Sequence, residues 1–115
     1  TMIYPCIQVC DIESTISWYE HFLDFRCSYK SSIRQPDFAV LENGGLKIYV
    51  KEDPEKSSYA SNIVVIETTD LEEKYKEIEK KGLIIIQPIF SGVFGNREFV
   101  AKDYEDNKIV FTENV

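Results

Sequence analysis

A chain of 115 residues has the length of one domain, and 43% hydrophobic with 29% charged residues fits a folded core rather than a disordered segment. A formal net charge of −7 argues against nucleic acid or an anionic membrane surface as a partner, and no apolar run reaches membrane-spanning length. No secretory signal pattern is present, and Cys6, Cys10 and Cys27 match neither a zinc nor a C-x-x-C spacing, so the expectation is a cytoplasmic protein with reduced, buried thiols.

Ile3 to Val9 alternates with the period of a strand, and Pro5 places it at an edge or at a strand start. Asp11 caps a helix running toward Phe25, with Glu13 in its first turn and an apolar stripe of Ile12, Ile16, Tyr19 and Leu23. Arg26 to Ile33 reads as a strand, and Gln35–Pro36–Asp37 as a turn. Phe38 to Glu42 and Leu46 to Lys51 are strands joined by the hairpin signal Asn43–Gly44–Gly45. The first half is therefore β-α-β-β-β.

Residues 52–61 are polar and read as a linker. Asn62 to Thr68 is a strand, and Thr69 with Glu72 is a possible capping box for a helix to Lys81, ended by Gly82. Leu71, Tyr75 and Ile78 form its stripe. Leu83 to Ile89, Arg97 to Lys102 and Lys108 to Glu113 complete a second β-α-β-β-β order, with a glycine-bearing loop from Ser91 to Asn96 and a hairpin turn at Asp103 to Asn107. An offset of 59 residues pairs Asp11 with Asp70, Ile12 with Leu71, Ile16 with Tyr75 and Tyr19 with Ile78. This is the mark of an internal repeat. The expected organisation is one domain over 1–115: repeat one 1–51, linker 52–61 and repeat two 62–115.

Val9-x-Asp11–Ile12, Ser17–Trp18–Tyr19–Glu20 and Phe22–Leu23–Asp24–Phe25, with Asp24 where glycine is usual, resemble the opening of the vicinal oxygen chelate superfamily. That superfamily includes glyoxalase I, extradiol dioxygenases and the fosfomycin- and bleomycin-resistance proteins. Arg97 to Asp103 with Asn107 and Phe111–Thr112–Glu113 is most similar to the bleomycin-resistance type. The resemblance implies an α+β fold of tandem βαβββ repeats, forming two curved mixed sheets with a helix outside each. It also implies a homodimer with a binding cleft beside or across its interface. The family's metal positions carry over onto Tyr4, Tyr49, Ile63 and Val110, none of them an ordinary ligand for a divalent ion. No metal and no cofactor is therefore expected. His21, the one histidine, reads as a solvated helix residue.

Strand parity selects the residues that would line a cleft: Tyr4, Cys6, Phe38, Tyr49, Val65, Glu67, Glu98 and Val110, with Phe90 and Phe94 beside the glycine-bearing loop. A carboxylate such as Glu67 among apolar strand residues calls for a partner, Lys47 or Lys108. The set suits a planar, aromatic or cationic ligand held by stacking and ion pairing. The leading expectation is a metal-independent protein that binds a small molecule, such as an aromatic or cationic antibiotic, in a dimer cleft. The alternative is a glyoxalase-like lyase or isomerase that uses Glu67 or Glu98 as a base. Filling of the same face by its own side chains, with no ligand, is a third.

Overall fold

A computed structural model of the chain describes residues 1–55, 62–92, 96–103 and 105–113. They fall into two compact units, Thr1–Ala60 and Ser61–Val115, each with the order β-α-β-β-β.

In the first unit, β1 (Cys6–Val9) precedes α1 (Ile12–Leu23), followed by β2 (Arg26–Lys30), β3 (Phe38–Asn43) and β4 (Leu46–Glu52). The sheet order is β1-β4-β3-β2, with β1 parallel to β4 and the remaining pairs antiparallel. Asp11 caps α1 by accepting a hydrogen bond from the Ser14 amide at 3.1 Å. Glu52 at the end of β4 accepts from the Ile12 amide, so sheet and helix start are tied together. At the other end, Asn43 donates its side-chain amide to the Leu23 carbonyl at 3.1 Å. Ile12, Ile16, Tyr19 and Leu23 are buried, and so are Ile7, Val9, Ala39, Leu41, Ile48 and Val50 on the sheet face turned to the helix. Each large side chain so buried contributes about 1.5–3 kcal/mol.

The helix stops at Leu23, two residues before the expected Phe25, because Asp24 takes a left-handed conformation at φ 58°. Only glycine adopts that conformation without strain, and a carboxylate at a helix C-terminus also opposes the dipole. Asp24→Gly is expected to stabilise the protein by about 1 kcal/mol. A thermal melt checks this, and an unchanged or lower midpoint contradicts it.

In the second unit, β5 (Ile63–Thr68), α2 (Leu71–Lys80), β6 (Ile84–Ser91), β7 (Arg97–Lys102) and β8 (Lys108–Glu113) repeat the arrangement, with sheet order β5-β8-β7-β6 and β5 parallel to β8. Asp70 accepts from the Glu73 amide at 3.1 Å, as Asp11 does from Ser14 in the first unit. The cap is thus Asp70 rather than the Thr69–Glu72 box, since an aspartate at N-cap takes the third amide itself. Leu71 and Ile78 are buried, while Tyr75 sets its ring edge against Phe99, which stacks on Phe111 at 4.7 Å. Arg97 joins α2 to the sheet through Glu72 and Glu113, and these partners hold its guanidinium ionised. The closing hairpin is built on buried polar groups. Asp103 accepts from the Glu105 and Asn107 amides and from the Asn107 side chain, and the Asn107 side-chain oxygen accepts from the Asn62 amide at 2.8 Å. This stitches the start of β5 to the β7–β8 turn.

Several expectations are corrected. β1 starts at Cys6, not Ile3, because Pro5 has no N–H to give the ladder, although its carbonyl accepts from Tyr49. Ile3, outside the strand, is 93% exposed. β2 ends at Lys30 because the Ser31 hydroxyl gathers the Asp37 carboxylate and the Asp37 and Phe38 amides into a closed loop, leaving Ile33 in solvent. The three cysteines form no disulfide, and their thiols are not buried: Cys6 and Cys10 are exposed and Cys27 is partly covered. Cys6 lies on the sheet face away from the helix. β6 runs two residues beyond Ile89, and its edge position accommodates Pro88.

Candidate functional site

The distinctive surface of the first unit is the sheet face opposite α1. Pleating sends alternate residues there, and registers across the four strands bring them into rows. Cys6, Tyr49, Val40 and Tyr29 lie in one row. Lys47 faces Glu42, which faces Arg26, in the row on one side, and Gln8, Lys51 and Phe38 form the row on the other. The result is an unbroken aromatic run. Tyr4 stacks on Tyr49 with ring centroids 5.7 Å apart and planes 23° apart. Tyr49 meets Phe38 at 5.5 Å and 84°, and Phe38 meets Tyr29 at 6.2 Å. Lys47 places its ammonium 4.9 Å from the centre of the Tyr4 ring, a cation–π contact. Tyr4, Phe38 and Tyr49 are half-buried and Tyr29 is exposed, so ring surface reaches solvent.

Tyr29 escapes the sequence reading. A bulge between Cys27 and Tyr29 shifts the alternation of β2 by one residue, so strict parity does not place Tyr29 on this face. A signal was present nonetheless: Tyr29 is the one aromatic in β2.

The matching face of the second unit has a different chemistry. Ile63 and Val65 are exposed on the edge strand β5. Val65, Val110 and Val100 form an aliphatic row ending at Gln87. In the next row Thr112 lies between Glu67 and Glu98, and Phe90 stands beyond Glu98. Gly92 leaves room for the Glu98 carboxylate, since a Cβ there would lie 2.8 Å from Oε2. Of the residues expected to line a cleft, Tyr4, Cys6, Phe38 and Tyr49 thus share a face in the first unit. Val65, Glu67, Phe90, Glu98 and Val110 share one in the second, and Phe94 lies outside the described residues.

The expected partners of Glu67 are not found. Lys47 is paired with Glu42 at 3.8 Å in its own sheet, and among the described residues Glu67 makes no ion pair with Lys108. Glu67 is exposed, so water satisfies it and the burial that called for a partner does not arise. Ser28, and to a lesser degree Lys47 and Arg26, hold the Glu42 carboxyl below its usual range.

Tyr4, Tyr49, Ile63 and Val110, onto which the resemblance carries metal ligation, are two phenol rings and two aliphatic side chains, a donor set that does not fit a divalent metal. Among the described residues no three His, Cys, Asp or Glu side chains gather where they could hold an ion. His21 is exposed on α1, its ring against Phe22. Among the described residues no helix is long and apolar enough to cross a membrane.

Two four-stranded mixed sheets, each with one helix and each built from a βαβββ unit, define a fold class that comparison identifies. Residues 1–111 match the model of the Glyoxalase/Bleomycin resistance protein/Dioxygenase superfamily, and the chain belongs to that family. No curated protein sequence matches it. Among solved structures, it is similar to a bleomycin resistance determinant encoded on the transposon Tn5, at TM-score 0.83 and 20% identity over 99% of this chain and 98% of that one. A bleomycin-binding protein complexed with bleomycin gives 0.80 and 20%, over 100% and 99%. TioX from Micromonospora sp. ML1 gives 0.79 and 20%, over 99% and 100%. At this identity the likeness shows the fold.

Proposed function

We propose that this protein binds a planar aromatic small molecule, of the size of an antibiotic, and sequesters it without chemical change. The observation that carries this is the aromatic run Tyr4–Tyr49–Phe38–Tyr29, three rings half-buried and the fourth exposed, on the sheet face opposite the helix. Exposed rings in a row cost solubility unless they meet something, and stacking is the interaction they offer. Sequestration needs no general base and no Lewis acid. The bleomycin-binding neighbour supports small-molecule binding as a use of this fold.

The working form in this reading is a cytoplasmic homodimer. A second copy would cover the open face of the first unit. The whole chain, 1–115, then acts as one domain of two repeats.

Calorimetric titration with planar aromatic antibiotics tests the proposal, followed by chromatography of the recovered ligand. Saturable binding with the ligand returned unaltered is expected. Turnover of hemithioacetals that rises on adding nickel or zinc would replace this reading with the lyase or isomerase one.

A further inference from the structure

We infer that the ligand held by the first unit is a planar aromatic anion, such as a fused-ring carboxylate or sulfonate, rather than a cation. The inference rests on the binding reading above and adds the ligand's charge. The protein as a whole carries −7, yet the face that bears the aromatic run has the opposite sign. Arg26, Lys47 and Lys51 project from it, with Glu42 between Arg26 and Lys47 and Asp37 near Lys51, so three positive charges meet two negative ones among the described residues. Glu42 is shared by Arg26 at 3.9 Å and Lys47 at 3.8 Å, so one negative charge answers two positive ones.

Lys47 and Lys51 stand on the same strand, about 13 Å apart at four residues of strand rise, with Tyr49 midway between them. Lys47 hangs over Tyr4, and Lys51 lies opposite Phe38 in register. The carboxylate near Lys51 is Asp37, which the Ser31 hydroxyl already engages at 2.8 Å. A flat ring laid on Tyr4 and Tyr49 would therefore meet an ammonium at either end, and an acidic substituent would be steered to one of them. A planar cation would stack equally well but would have to displace Lys47 from its ring and face two like charges.

Two probes of similar shape separate the possibilities: 2-naphthoate as the anion and proflavine as the cation. Each is titrated by NMR against the full-length protein and against a Lys47→Gln, Lys51→Gln double variant. Both lysine side chains reach solvent, so the variant is expected to fold. The expected result is that 2-naphthoate shifts the ring protons of Tyr4 and Tyr49 and binds more tightly than proflavine, and that its Kd weakens at least fivefold in the double variant. Proflavine binding more tightly, or a 2-naphthoate Kd unchanged by the two substitutions, overturns the anionic assignment while leaving aromatic binding intact. Failure of both probes to bind overturns the two readings together.

Discussion

Asn107→Ala is expected to lower the unfolding free energy by about 3 kcal/mol and the melting midpoint by on the order of 12 °C. Asn107 is fully buried and its side chain works in two directions. Its amide donates to Asp103 Oδ2 at 2.8 Å, and its oxygen accepts from both the backbone and the side chain of Asn62. Alanine removes a donor from a buried carboxylate and an acceptor from a backbone N–H at the same moment. Each such loss costs about 1–3 kcal/mol.

The effect carries a pH signature. Burial raises the Asp103 carboxyl above 3.8, against the hydrogen bonds from Asn107 and Glu105 that lower it. A raised folded value means the native state binds more protons than the unfolded chain in that window. The associated stability is present below 3.8 and is lost as pH rises through the folded value. Removing the Asn107 side chain removes the strongest of the lowering influences, so the folded value rises further. The deficit of the variant should therefore be larger at pH 7 than at pH 4 by chemical denaturation. A deficit under about 1 kcal/mol, or one that grows toward acid, contradicts the account.

Tyr49→Ala is expected to weaken binding of a planar aromatic ligand by about 2 kcal/mol, roughly thirtyfold in Kd. Tyr49 is the residue through which the run is continuous, touching Tyr4 on one side and Phe38 on the other. Its loss removes a stacking surface and parts its two neighbours. Half-burial makes the cost to folding smaller than for a core ring, so the variant should remain soluble and melt cooperatively. Tyr49→Phe keeps the ring and should bind within about twofold of the parent, since stacking does not need the hydroxyl. If Phe lost as much as Ala, a hydrogen bond from the phenol would be the basis of recognition instead.

The repeat was legible because helix capping and apolar spacing are local. Asp11 and Asp70 sit at corresponding points and make corresponding bonds to amides three residues on. Strand pairing also followed from short-range signals, as the two-residue Gly44–Gly45 turn fixes the β3–β4 register, with Gly44 at φ +57°. What local pattern could not supply was anything set by an irregularity or by exposure. The bulge in β2 redirects Tyr29. Parity assigned Cys6 and Glu67 to the faces away from the helices, but the inferences that the thiol is buried and that the carboxylate needs a partner both assumed burial, and both side chains are exposed. The Asp103–Asn107–Asn62 network joins groups 45 residues apart and shows in the sequence only as a polar turn.

The central claim is that Tyr4, Tyr49 and Phe38 are the ligand's seat. A crystal structure of the protein grown with 2-naphthoate tests it most directly. The account predicts a flat ring in van der Waals contact with Tyr4 and Tyr49 and its carboxylate toward Lys47 or Lys51. A naphthoate bound only elsewhere, with these three rings packed against the protein's own side chains, would contradict it.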